Sequence, residues 1–166
     1  MQYPVNMLAA VGASFVGLLV GFVWYHPKVF GTIWMKESGL SADGPKPNMA
    51  LTFGLTWLFC LILAVFVAPL CIHQVGFFSM LQGHDDGTMA RIYQDVMASY
   101  GHSYRTFRHG LLHGTLAGIF VVTPLIGVPA LFEQKSWKYI LINAGYWTVT
   151  LAIMCAILCH FVPAAA

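Results

Sequence analysis

Apolar residues run without alternation through four long stretches of the chain, roughly Val5–Tyr25, Met49–Ile72, Gly110–Phe132 and Tyr139–Val162. A hydrocarbon core of about 30 Å takes about 20 residues of helix to cross, and each stretch is that long. In lipid, only a helix or a closed barrel satisfies every backbone N–H and C=O. Barrel strands alternate apolar and polar positions, and these stretches do not. The pattern predicts an all-α integral membrane bundle of four transmembrane helices, with residues 1–166 forming a single transmembrane domain.

Between the spans the pattern turns amphipathic. Val29, Phe30, Ile33 and Trp34 recur at helical spacing beside Lys28, Lys36 and Glu37, with Gly39 placed to end the turn. This predicts a short interfacial helix, with Trp24, Tyr25 and Trp34 in the aromatic belt. Gly44-Pro45-Lys46-Pro47 then breaks the helix and returns the chain to the second span. In the longest loop, Asp86-Gly87-Thr88 offers cap chemistry ahead of an apolar stripe of Met89, Ile92, Tyr93, Val96, Met97 and Tyr100. Arg91, Gln94, Asp95 and Ser99 fall on the opposite face, and Gly101 suits a C-terminal stop. A surface helix over residues 88–100 is expected.

Composition excludes several classes. Charged residues are 8% of the chain, against about 25% in soluble domains, and mean hydropathy is +0.73. No span has the polar outer face that a soluble four-helix protein needs. A net charge of +2 supplies neither a field for nucleic acid nor a polybasic lipid-binding run. The first span lacks a positive n-region and ends in Trp24-Tyr25-His26-Pro27 rather than small residues, so it is expected to persist as the first helix.

Four spans put both termini on one face, side A, with the shorter loops on side B. Side B carries Lys28, Lys36, Lys46, Lys135 and Lys138; side A carries Arg91, Arg105 and Arg108. That bias favours a cytoplasmic side B and termini outside.

Inside the spans, small residues and polar exceptions mark packing. Gly110, Gly114 and Gly118 recur every four residues, and Gly17 and Gly21 do the same in the first span. Such stripes let helix backbones approach closely, either within one chain or in a homo-oligomer. Pro124 and Pro129 remove amide donors and predict a kink near Val122–Val128, where Thr123 can rebond a freed carbonyl. Asn6 opens the first span, and Asn143 and Tyr146 are expected to face the bundle from the last. Glu133, at the side B end of the third span, is expected to pair with Lys135, Lys138 or a helix end; a proton-binding carboxylate is the functional alternative.

The histidines are the chief candidate chemistry. His73, His84, His102, His109, His113 and His160 fall on side A, and only His26 on side B. His109 and His113 lie one turn apart on one helix face. With His73 and His160 they form a candidate layer for a transition metal or haem iron, near Cys71, Cys155 and Cys159. The competing reading has each ring bonding a backbone carbonyl singly. Cys155-x3-Cys159-His160 has one residue too many for a covalent haem motif. A Cys71–Cys159 disulfide requires Cα atoms within about 7 Å; free buried thiols are the default. No P-loop, nucleophile elbow or paired carboxylate is present, so no catalytic residue is assigned, and Asp85-Asp86 beside Gly87 reads as a turn.

Trp24-Tyr25-His26-Pro27 with Phe30-Gly31 and Trp34 resembles the W-Y-x-P-x-x-F-G-x-x-W signature of a family of small bacterial four-helix membrane proteins, catalogued as domain of unknown function seventeen-sixty-one. Ala130-Leu131-Phe132-Glu133, Ser136-Trp137-Lys138 and Ile142-Asn143-Ala144-Gly145-Tyr146 are similar to its second motif. The resemblance implies four helices and a bacterial inner membrane, with no activity attached. The expectation is a non-enzymatic membrane module (an oligomeric pore, carrier or accessory subunit), with a metal- or haem-binding redox protein as the alternative.

Overall fold

A computed structural model describes residues 3–41, 43–83 and 87–161, and among them every regular element is helical. The helices are α1 (Met7–Ser14), α2 (Val16–Trp24), α3 (Thr32–Ser38), α4 (Met49–Cys71), α5 (His73–Leu81), α6 (Gly87–Tyr100), α7 (Phe107–Ala117), α8 (Thr123–Phe132) and α9 (Trp137–His160). Four helical stretches are long and apolar enough to cross a membrane: Met7–Trp24, Met49–Cys71, Phe107–Phe132 and Trp137–His160. The fold is an all-α, multi-pass membrane architecture.

Each span opens on a polar cap. Asn6 Oδ1 accepts from the amides of Leu8 and Ala9, at 3.0 and 3.2 Å. Asn48 Oδ1 accepts from Leu51 N, Thr106 Oγ1 from His109 N and Ser136 Oγ from Tyr139 N. The first amides of a helix have no partner within it, and a short oxygen side chain is the cheapest remedy.

Two spans are less regular than their composition predicts. The first breaks at Phe15, which separates α1 from α2. The third widens into a π-helical turn at Gly118–Val122, just before Pro124. The proline ring clashes with the preceding turn, and one wide turn relieves that crowding. Thr123 Oγ1 donates to the Gly118 carbonyl at 2.9 Å, as expected of a hydroxyl beside a freed acceptor. The disturbance therefore lies N-terminal to Pro124, whereas Pro129 is carried within α8.

Helix α9 is the central element. In its most apolar window 56% of residues are buried, against 28%, 17% and 11% in the other spans. It touches α1, α2, α3, α4, α7 and α8. The closest packing is against α7, where the glycine stripe lies. A Cβ on Gly110 would strike the Cys155 carbonyl, one on Gly114 the Leu151 carbonyl, and one on Gly118 the side chain of Thr148. A Cβ on Gly17 would strike the Cys60 side chain, whereas one on Gly21 would meet the Tyr146 ring at ordinary contact distance. The α7 stripe is thus packed within the chain against α9.

On side B, the π-helical turn Pro27–Gly31 and α3 fold back onto the start of α9. Trp24 Nε1 donates to the Ile142 carbonyl at 3.0 Å. Tyr25 Oη donates to Asn143 Oδ1 at 3.0 Å, and Tyr146 Oη donates to the Gly17 carbonyl at 3.0 Å. Gly145 makes room for the Trp24 ring, and Gly31 for the Tyr25 carbonyl. The two sequence motifs, more than a hundred residues apart, are one packed unit. Glu133 is the exposed C-cap of α8, and Lys135, one of its expected partners, turns elsewhere. Lys135 Nζ donates to the Ser38 carbonyl at 3.4 Å and lies 5.6 Å from the centroid of the Tyr139 ring. The buttressing carboxylate is Glu37, which accepts from Ser136 Oγ.

On side A the surface helix forms as α6 and lies against α5, with Tyr93 buried among Phe77 and Phe78. Asp86, the predicted cap, and His84 lie outside the described residues, as does Val162 at the predicted end of the last span.

Candidate metal centre

The side A layer is held together by Arg105. This residue is only 7% exposed. Its Nη1 donates to the Pro4 carbonyl at 3.1 Å, and its Nη2 reaches the carbonyls of Leu158 and Phe161 at 3.4 and 3.3 Å. A cation at the carbonyl end of α9 is favoured by the helix dipole and satisfies acceptors that the helix leaves unpaired. Burial pulls the guanidinium pKa below its ordinary value, and the nearby Cys159 and Cys71 sulfurs oppose that shift. Arg105 ties the start of the first span to the end of the last, so the described ends of the chain meet at one face of the bundle.

The cysteines nearby are free. Cys159 Sγ donates to the carbonyls of Cys71 and Tyr104, at 3.4 and 3.2 Å. A Cys71–Cys159 disulfide is not formed; the thiol of Cys159 serves as a buried donor between two strands of backbone.

Above this layer three imidazoles meet. Pro69 lies in the last turn of α4, and the chain leaves helical geometry at Ile72, with φ −114° and ψ 95°. Helix α5 then starts with His73, turned toward α7. His109 and His113 occupy the first and second turns of α7, beside the face that carries Gly110 and Gly114. Because that glycine face is sealed on α9, the histidine stripe sits next to the seam. His109 Nε2 and His73 Nε2 are 3.0 Å apart, and one ligating nitrogen from each of His73, His109 and His113 lies within 4.8 Å of the others. His73 is exposed and the other two are half-buried.

This geometry suits a single ion. Metal–imidazole bonds of about 2.0–2.1 Å in a tetrahedron put nitrogens about 3.3–3.4 Å apart. A few tenths of an ångström of movement at His73 and His109, with a larger inward step where the trio is most open, would bring all three to that spacing. As it stands, the two Nε2 atoms lie at hydrogen-bond distance, and the tautomer decides which ring donates.

His160 does not join the cluster. It is exposed at the end of α9, with its ring against Phe161 at 5.1 Å. One residue earlier Cys159 is fully buried, and a step of one residue turns a helix by about 100°, carrying His160 outward. Asn143 accepts from Tyr25 and Tyr146 donates to the Gly17 carbonyl, both at the opposite end of the bundle.

Two neighbours of the cluster carry no clear sequence signal. Tyr104 adopts a left-handed backbone conformation, with φ +61°, which costs a bulky residue about 1–2 kcal/mol. That conformation puts its ring 5.2 Å from His109 and 5.9 Å from His73. Gln74 is buried and donates through Nε2 to the carbonyls of Tyr100 and Ser103, at 3.0 and 2.9 Å. It thereby pins the loop that carries Tyr104.

The fold and the side A cluster define a small four-span membrane protein with a histidine-lined recess at one helix-end layer. The family described as "Protein of unknown function (DUF1761)" matches residues 8–159, and the chain belongs to that family. No curated protein and no solved structure matches it.

Proposed function

We propose that the chain is a bacterial inner-membrane protein that binds one transition-metal ion through His73, His109 and His113. The convergence of three ligating nitrogens within 4.8 Å carries this reading. The residues come from α5 and from the third span, so the trio is not the by-product of one helical repeat. Neutral imidazole suits zinc, copper, iron and nickel. Three protein ligands with one position left over is the pattern of sites that exchange a ligand or act on one, whereas purely structural zinc sites use four. The lysine excess on side B favours a periplasmic site, where metal is captured from outside the cell.

The test is metal stoichiometry. Protein purified in detergent, stripped with chelator and reloaded with Co(II) or Zn(II) should hold about one ion per chain. His73→Ala, His109→Ala and His113→Ala should each lower affinity at least tenfold, while His160→Ala leaves it unchanged. Wild-type protein that holds no ion after reloading would leave a non-enzymatic membrane module as the better reading.

A further inference from the structure

The cavity beside the histidines is built between α5 and α6 and measures about 370 Å³. Its wall includes His73, Gln74, Phe77, Val96, Met97 and Tyr104. His73 therefore belongs to both the trio and the cavity. Along α5 the wall passes from His73 and Gln74 in the first turn to Phe77 one turn on, facing Val96 and Met97 of α6. Gln74 is itself 8% exposed, and its Oε1 has no hydrogen-bond partner within the described residues. An open pocket with His73 and Gln74 at one end and apolar side chains beyond them matches an amphiphile rather than a hydrated ion alone.

We propose that this cavity admits the ligand of the metal centre: a molecule whose small nitrogen, oxygen or sulfur head completes the coordination of the ion and whose short apolar tail lies between α5 and α6. The inference rests on the metal reading above and adds the class of molecule that the open position takes. A three-histidine site leaves a position for an exogenous donor. Its tail would leave water or lipid for a fixed apolar wall, and each buried methylene adds to affinity. At about 370 Å³ the cavity holds a tail of several carbons beside a small head.

The experiment uses full-length protein loaded with Co(II) in lipid nanodiscs, with 1-methylimidazole and 1-hexylimidazole as probes. The change in the Co(II) ligand-field spectrum reports binding of the head. Wild type should bind 1-hexylimidazole at least tenfold more tightly than 1-methylimidazole. Met97→Trp fills the cavity, and Val96→Phe narrows it by a separate side chain. In both variants the preference for the longer chain should fall at least fivefold, with the Co(II) spectrum and 1-methylimidazole affinity retained. A preference of equal size in wild type and both variants would mean that the bilayer, not the cavity, reads the tail, and would overturn the proposal while leaving the metal site standing. Failure of wild type to take up Co(II) would overturn the metal reading, and this inference with it.

Discussion

At the scale of single residues, Arg105 shows how one buried cation can organise a helix-end layer through backbone carbonyls. Its three carbonyl contacts join the first span, the last span and the loop that presents Tyr104. Removing the side chain leaves those acceptors to a poorly hydrated interior, and charged hydrogen bonds of this kind contribute about 1.5–3 kcal/mol each before compensation. Arg105→Ala is expected to destabilise the protein by about 3 kcal/mol, read as a drop in thermal midpoint in detergent. Arg105→Lys should recover less than half of that, because a single ammonium cannot fork to acceptors on two segments. Arg105 is visible in the sequence only as a charge just ahead of a span, in a chain with few charges. Its three partners depend on tertiary contacts between residues 53 to 101 positions apart. His109 and His113 are different: a spacing of four on a helix fixes their shared face before any tertiary contact exists. His73 joins them only because α4 ends at Ile72 and α5 starts in a new direction, a bend that composition does not set.

At the scale of elements, the same residue type has opposite value in two helices. Gly114 faces the backbone of α9, where a methyl group would meet the Leu151 carbonyl and the Ala152 Cα. Gly54 lies within α4, where a Cβ meets nothing within 4 Å. Replacing glycine with alanine in a helix gains about 0.5–1 kcal/mol from backbone restriction. At Gly114 overpacking of about 1–3 kcal/mol opposes and exceeds that gain. Gly114→Ala should therefore lower the thermal midpoint, and Gly54→Ala should leave it unchanged or raise it slightly. Equal effects at the two sites would show that the α7–α9 seam is looser than the structure describes. The Gly110–Gly114–Gly118 stripe was legible as a close-contact face because its period is that of the helix, but the sequence left its partner open between α9 and a second chain. The kink was legible from Pro124 and Thr123, yet its position was not. The strain is taken up at Gly118–Val122 because that wide turn precedes the ring that causes it.

At the scale of the whole molecule, the two ends of the bundle divide the work. Side B holds the aromatic and asparagine contacts that bring the two sequence motifs into one packed unit, and side A holds Arg105, the histidines and the cavity. The bundle turns on α9, yet the histidines sit on elements at its periphery, α5 and α7. A bound ion would therefore brace the span 2–span 3 junction from outside the core. Anything that binds only the folded state stabilises it by mass action, by about 4 kcal/mol at a thousandfold excess over the dissociation constant. For a chain of this size that corresponds to a rise of about 8–16 °C in thermal midpoint. The sign of the pH dependence follows from the ligand chemistry. The ion needs unprotonated imidazole nitrogens, so protons compete with it for them as pH falls. The zinc-dependent rise in midpoint should shrink as pH is lowered from 7.5 to 5.5. His113→Ala should lack most of the rise at every pH while keeping the metal-free midpoint close to that of wild type, since the ring is only half-buried. A zinc effect that is undiminished at pH 5.5, or that survives His113→Ala, would place the ion elsewhere on the chain.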